Sequence, residues 1–258
     1  MNTGIQDAAN LVWKLSMALK SSDSDLDGLL ESYYTERAEV GKRVGQTSLH
    51  NMRSHSGQVD RAMGVSSAQT KAENLEAAAS FFDPSHPEYA EKQQRIAQAS
   101  QALDTEFKAP GYEVGWFYPS ADINSEGGLT NNGQQLEDRT LVHHTYYIST
   151  IPGHHLPHAW VRREGKTVAL RDLLGLETLT LFLETVPDRD VTDDRIQTVI
   201  VGSSGWQDLS GQWKKYCGVD AEGGVLARPD GIVAWRGSLA SAEQEGWQRL
   251  VDKILKVA

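Results

Sequence analysis

Apolar positions in the first nineteen residues recur at three- and four-residue spacing. Ala8, Leu11, Val12, Leu15 and Leu19 share one helical face, with Lys14 and Ser16 turned away. Thr3 followed by Gln6 fits a reciprocal capping box, and Asp7 suits the positive end of a helix dipole. The spacing therefore predicts a helix from near Gly4 whose apolar face is core. A second helix is expected after Asp23, Asp25 and Asp27, with Leu26, Leu29, Leu30, Tyr33, Val40 and Val44 as its stripe. Residues 46–67 are polar and rich in Ser, Gly and Gln, which predicts a loop or a marginal helix. Helical spacing resumes over Ala68–Phe82, stopped by Asp83-Pro84, and from Pro87 to about Phe107, opened by Ser85.

The pattern then changes period. Tyr112 to Tyr118 alternates and is rich in aromatics, as a strand would be. Residues 119–141 are rich in Gly, Asn and Ser and read as a linker, with a new domain starting near Val142. Strands are expected at Leu179–Leu183 and Thr198–Val201. A hairpin over Leu226–Arg236 should turn at Pro229-Asp230-Gly231, where Pro sets φ and Gly supplies a positive one. A second capping box, Ser241 with Gln244, opens a closing helix carrying Trp247, Leu250, Val251, Ile254 and Leu255. The order fits an α/β class, helices first and a sandwich afterwards.

Composition narrows the function classes. A chain of 258 residues with 39% hydrophobic and 23% charged residues is an ordinary folded protein. The net charge of −10 argues against nucleic acid and against acidic membrane surfaces as partners. No apolar run is long enough to span a membrane and no signal peptide is visible, and a single cysteine, Cys217, fits a reducing, cytoplasmic setting.

Candidate chemistry is sparse when residues are taken one by one. A small-residue turn at Asn2 and Gly4 would aim free N–H groups at an anion or a carbonyl, although an ordinary capped helix explains the same pattern. Arg37, flanked by Glu36 and Glu39, reads as a structural or solvated ion pair. Glu36, Glu39, Asp104 and Glu106 read as solvated helix charges with no catalytic role. His50 and His55 have no visible partner. His143, His144, His154, His155 and His158 crowd into sixteen residues, but neighbours in an extended segment point to opposite faces, so no metal site is assigned. Cys217 stands alone and cannot exchange disulfides within the chain.

Longer strings say more. Asn2-Thr3-Gly4-Ile5-Gln6-Asp7-Ala8-Ala9-Asn10-Leu11-Val12-Trp13-Lys14-Leu15 resembles the last flavin-contacting segment of the FAD-dependent aromatic hydroxylases, the phenol hydroxylase and p-hydroxybenzoate hydroxylase group. Tyr33-Tyr34-Thr35-Glu36-Arg37 is similar to the element that packs beside that segment, and Tyr112–Tyr118 to a strand near the substrate domain. Pro152–Val161 and Leu226–Arg236 resemble two blocks of the C-terminal domain of the phenol hydroxylase group. The resemblance implies a helical remnant of a flavin monooxygenase core over residues 1–118 and a thioredoxin-like α/β domain over 142–258. It implies that Met1, Asn2, Thr3 and Gly4 hold the pyrimidine end of FAD, and that the complete enzyme uses NAD(P)H to hydroxylate a phenolic or other aromatic molecule ortho to a hydroxyl. It also implies a homodimer, or association with a full-length hydroxylase. The family's G-x-G-x-x-G unit is not found in these residues, so the chain reads as a C-terminal part lacking the nucleotide-binding half, with weak or no FAD binding of its own. Two other readings stay open: a non-catalytic dimerisation partner, and a flavin-free cyclase or isomerase of an aromatic pathway.

Overall fold

The computed structural model describes residues 2–21, 26–101, 103–104, 108–119, 132–188 and 191–257. Met1, Asp23, Asp25 and Glu106, named above, lie outside them. Helices α1 (Asn2–Lys20) and α2 (Asp27–Ser54) pack side by side and continue through a π-turn (His55–Val59) into α3 (Asp60–Met63), α4 (Lys71–Phe82) and α5 (Tyr89–Gln101). Residues 46–67 are thus mostly helical, because α2 runs on to Ser54 as a polar, solvated helix. A capping box does form at Thr70 and Glu73, where the Glu73 N–H donates to Thr70 Oγ1 and the Glu73 carboxylate accepts from the Thr70 N–H at 2.7 Å.

Where a strand was expected at Tyr112–Tyr118, the chain instead makes one helical turn, α6 (Pro110–Glu113), followed by an extended segment outside both sheets. Pro110 starts that turn and the N–H groups of Tyr112 and Glu113 both donate to Ala109 O. The aromatics then pack inward instead of pairing, since Trp116, Phe117 and Tyr118 join Val40, Leu141 and Ile232 in one buried cluster.

The second half holds two sheets. Strands β1 (Trp160–Arg163), β2 (Lys166–Ala169) and β5 (Gln207–Asp208) form a small antiparallel sheet in the order β2-β1-β5. Strands β3 (Leu179–Leu183), β4 (Ile196–Ile200), β6 (Gly223–Ala227) and β7 (Val233–Ser238) form the main sheet in the order β4-β3-β6-β7. There β3 and β4 are parallel and the β3–β6 and β6–β7 pairs antiparallel, the arrangement of a thioredoxin-like sheet. Every residue of β3 and β6 is buried, because both faces are covered. On one face Phe182, Val225 and Val233 meet Val161, Leu170, Cys217 and Trp213, the last from α7 (Gln212–Tyr216). On the other, Leu181, Leu226 and Trp235 meet Trp13 and Met17 of α1, together with α8 (Leu239–Glu245) and α9 (Trp247–Leu255). The closing helix is therefore two helices. Ser241 lies inside α8 and caps nothing, and Gly246 with φ +92 breaks the axis.

The face of α1 is the main correction. Its buried residues are Asn10, Trp13, Lys14 and Met17, whereas Ile5, Val12 and Leu19 are 65%, 62% and 85% exposed. Hydropathy ranked the wrong stripe because the inward one carries polar groups whose partners lie far along the chain. Thr3 and Gln6 do not cap α1 either: Thr3 is helical and the Gln6 amide oxygen accepts from Arg37.

In urea unfolding of this chain, Val12→Ser and Leu19→Ser should each change stability by no more than about 0.5 kcal/mol, while Phe182→Ala should cost about 3–5 kcal/mol. A loss of several kcal/mol from either α1 substitution would show that the outward stripe is core after all.

Candidate functional site

Two consecutive residues of α2, Glu36 and Arg37, organise the region around the start of α1. Glu36 is 3% exposed and its carboxylate is fully used. Arg228 donates Nη1 to Oε1 at 2.6 Å and Nη2 to Oε2 at 2.9 Å, while Lys14 Nζ and Asn10 Nδ2 donate to Oε2 at 2.8 and 2.7 Å. Lys14 also donates to Ser32 Oγ at 2.8 Å, and Arg228 Nε to Asp230 Oδ1 at 3.1 Å. The indole of Trp13 lies 5.1 Å from the Arg228 guanidinium. Two cations thus meet two carboxylates in a buried, formally neutral cluster.

The electrostatics follow from that arrangement. Burial alone would raise the Glu36 pKa, but Arg228 and Lys14 overcome it and hold the group at about 2. Burial and the neighbouring Arg228 pull Lys14 down to about 8 despite Glu36. Arg228 comes from the β6–β7 hairpin. Its carbonyl accepts from the Gly231 N–H at 2.9 Å, with Gly231 at φ +78, so the Pro-Asp-Gly turn forms as its composition predicts.

Arg37 points the other way along α2. Its Nε donates to Asp7 Oδ1 at 2.7 Å, its Nη1 to the Tyr118 hydroxyl at 3.0 Å, and its Nη2 to Gln6 Oε1 at 3.3 Å and Thr3 O at 3.5 Å. The guanidinium also lies over Trp116 at 5.2 Å. Burial opposes its charge, yet Tyr118 and Asp7 raise its pKa, and burial pushes Tyr118 up to about 12 against the pull of Arg37. Arg37 is structural, as its neighbours suggested, but buried instead of solvated.

The first two turns of α1 are thus clamped, and their open end lines a cavity. Asn2, Thr3 and Gln6 share a cavity of about 450 Å³ with Arg43, Thr47, Tyr112 and Trp116. Among the described residues no side chain caps the N–H groups of Asn2, Thr3 and Gly4, which lack helical partners by position. Met1, the fourth expected contact, lies outside the described residues. A second cavity of about 590 Å³ adjoins, lined by Lys42, His50 and Arg139 together with Arg43, Thr47 and Tyr112 of the first.

The other candidates are placed elsewhere. His154 stacks on Phe117 at 4.4 Å and His155 sits edge-on to Trp116 at 4.1 Å, where burial pushes its pKa down to about 3. Among the described residues no three His, Cys, Asp or Glu side chains are grouped to share a metal ion, and no helix is long and apolar enough to cross a membrane. Sequence reading missed the Lys14–Glu36–Arg228–Asp230 cluster. The available signal was the i, i+4 pair Asn10 and Lys14, on the helix face that also carries Trp13 and Met17.

Comparison with known proteins adds the following. Residues 1–48 match an FAD binding domain model and residues 149–257 match a model described as "Aromatic-ring hydroxylase, C-terminal". The chain is 32% identical over 256 residues to a phenol 2-monooxygenase of Pseudomonas sp. (strain EST1001), covering 95% of this chain and 40% of that protein. It is 26% identical to a 2,4-dichlorophenol 6-monooxygenase of Cupriavidus pinatubonensis (strain JMP 134 / LMG 1197), covering 95% and 41%. It thus spans about two fifths of the length of these curated relatives. Among solved structures it is similar to the flavin-dependent monooxygenase PieE in complex with FAD and substrate, at TM-score 0.81 and 27% identity, over 99% of this chain and 44% of that one.

Because Glu36 is held below an ordinary glutamate's 4.5, its contribution to stability is present above that value and lost as pH falls toward about 2. The shift corresponds to something on the order of 3 kcal/mol. Glu36→Gln should therefore be less stable than the parent by several kcal/mol at pH 7, with the gap narrowing toward pH 2–3. Denaturant midpoints for both proteins across that range measure it, and a gap that did not change with pH would contradict the assignment.

Proposed function

We propose, from a chain that corresponds to the C-terminal part of an FAD-dependent aromatic-ring hydroxylase, that it forms one wall of the flavin and substrate site of such an enzyme, acting on a phenolic or polyketide aromatic. The observation that carries this reading is the position of Asn2 and Thr3 on a cavity of about 450 Å³ that also has Tyr112 and Trp116 in its walls, within the residues that match the FAD binding model. A flavin ring fits that setting. The N–H groups of Asn2, Thr3 and Gly4, at the positive end of a 19-residue helix, would hold the pyrimidine edge, together with Met1 outside the described residues, and would favour negative charge there.

FAD, when bound, would supply the redox chemistry of the hydroxylation, with NAD(P)H as the reductant and dioxygen as the source of the inserted oxygen. The chain's own residues bind and orient. Arg37 locks the first two turns of α1 through Asp7, Gln6 and Thr3 O, which keeps the N–H groups from swinging away from the cavity. Tyr112 and Trp116 offer apolar walls for an aromatic ring to lie against. In this reading residues 142–258 are a structural thioredoxin-like part, since Cys217 is the single cysteine and dithiol exchange needs two. The outward stripe of Ile5, Ala8, Val12, Leu15 and Leu19 is the surface on which the rest of such an enzyme packs, an apolar seam of the kind that marks an interaction face.

Amide NMR of the full 258-residue chain titrated with FAD tests the assignment. The expected result is movement of the Asn2, Thr3 and Gly4 amides and of the Trp116 indole N–H, with the β3 and β6 signals unchanged. FAD binding that leaves those amides in place, or movement confined to the sheet, would overturn it.

A further inference from the structure

On the face of the main sheet opposite α1 the protein leaves a cavity of about 260 Å³. Its floor is apolar, built by Phe182 of β3, Val201 just past β4, Trp213 of α7, Cys217 and Val219. The rings of Phe182 and Trp213 stand 5.5 Å apart and inclined at 53°. The Cys217 thiol donates to the backbone carbonyl oxygens of Lys214 and Val219 at 3.6 and 3.5 Å, so its sulfur serves as wall. Among the described residues, none of these floor side chains holds a buried polar atom without a partner. The charged groups stand on the solvent side and are engaged there. Lys214 Nζ donates to Glu184 Oε1 at 2.6 Å, the Lys214 N–H to Asp208 Oδ2 at 3.1 Å, and the Glu222 N–H to Asp220 Oδ1 at 3.1 Å.

We propose that this cavity is a binding site of its own, separate from the cavities beside α1, for a small uncharged aromatic molecule of one or two fused rings. Size sets the upper limit. An apolar cavity of about 150 Å³ takes up benzene, and one of about 260 Å³ has room for a bicyclic ring such as indole. The floor sets the chemistry, because packed walls that face empty space lose contacts which an apolar guest restores. The inclined Phe182 and Trp213 rings offer it both a face and an edge. The rim sets the charge. One ammonium, Lys214, stands against three carboxylates, Glu184, Asp208 and Asp220, and that excess of negative charge repels an anion. Entry passes the Lys214–Glu184 pair, whose side chains are 63% and 33% exposed, and an ion pair so open to water separates at little cost.

The proposal does not rest on the flavin reading, and it is tested without FAD. The full 258-residue chain is titrated with indole and, in parallel, with indole-3-carboxylate, and followed by amide and indole N–H NMR. Indole should bind with a dissociation constant of about 1 mM or tighter, the range open to a ligand of so few atoms. It should move the Trp213 indole N–H and the amides of Val201, Cys217 and Val219, and leave those of Asn2, Thr3 and Gly4 in place. The carboxylate should bind at least about tenfold more weakly. Val219→Phe, which fills part of the cavity from a half-buried position, should lose the indole shifts while its remaining amide signals show the parent fold. Should that variant not fold, the location of the shifts in the parent decides the site. Indole that leaves Trp213 and Cys217 unmoved, or that moves the start of α1 instead, overturns the proposal. So does equal binding of the carboxylate, or a folded Val219→Phe protein that binds indole as the parent does.

Discussion

A carboxylate with almost no access to water is the constraint on which the rest of the structure depends. Glu36 must be satisfied from within, and its donors come from three places: Arg228 at the β6–β7 hairpin, and Lys14 and Asn10 on α1, all converging on α2. Such a cluster adds little net stability over well-packed apolar groups, but removing one member leaves a buried charge exposed to a medium that cannot solvate it, at a cost of about 3–5 kcal/mol. Its effect is therefore geometric. Only one rotation of α1 about its axis brings Lys14 and Asn10 to Glu36, and only one seating of the hairpin brings Arg228. Apolar packing then follows the same alignment, with Trp13 and Met17 delivered to the face of the main sheet.

From that alignment the site is one residue away. Arg37 follows Glu36 on α2 and reaches the first two turns of α1 and the Tyr118 hydroxyl at once. The helix start is thereby held against the aromatic segment after α6, and the cavity lies between them. The C-terminal sheet takes part at a distance, because the hairpin that supplies Arg228 and Asp230 is the same element that buries Ile232 beside Trp116–Tyr118. The thioredoxin-like sheet can in this way decide where the start of α1 is held.

Much of this was legible in the sequence where a local rule governs. The buried run Leu179–Leu183 forms β3 with those bounds, and Pro229-Asp230-Gly231 turns as its φ preferences require. The closing helix stripe of Leu250, Val251, Ile254 and Leu255 is buried as read. The strings shared with aromatic hydroxylases pointed to the family before any geometry was known. What failed depended on contacts distant in sequence. Periodicity placed Val12 and Leu19 inside and Lys14 outside, because nothing local announces that a lysine on α1 will meet a glutamate on α2 and an arginine more than two hundred residues away. Alternating aromatics at Tyr112–Tyr118 looked like a strand, yet Pro110 starts a helical turn and the rings find a cluster instead of a ladder. Ser241 and Thr3 match a capping pattern that tertiary context overrides.

Hydrogen–deuterium exchange of Arg228→Met against the parent tests the central claim most directly, since it asks whether a hairpin side chain sets the order of a helix far from it in sequence. The account predicts that amides along α1 and the Glu36–Val40 stretch of α2 lose protection in the variant, while β3 and β6 keep theirs. Unchanged protection of α1 in a folded Arg228→Met protein would contradict it.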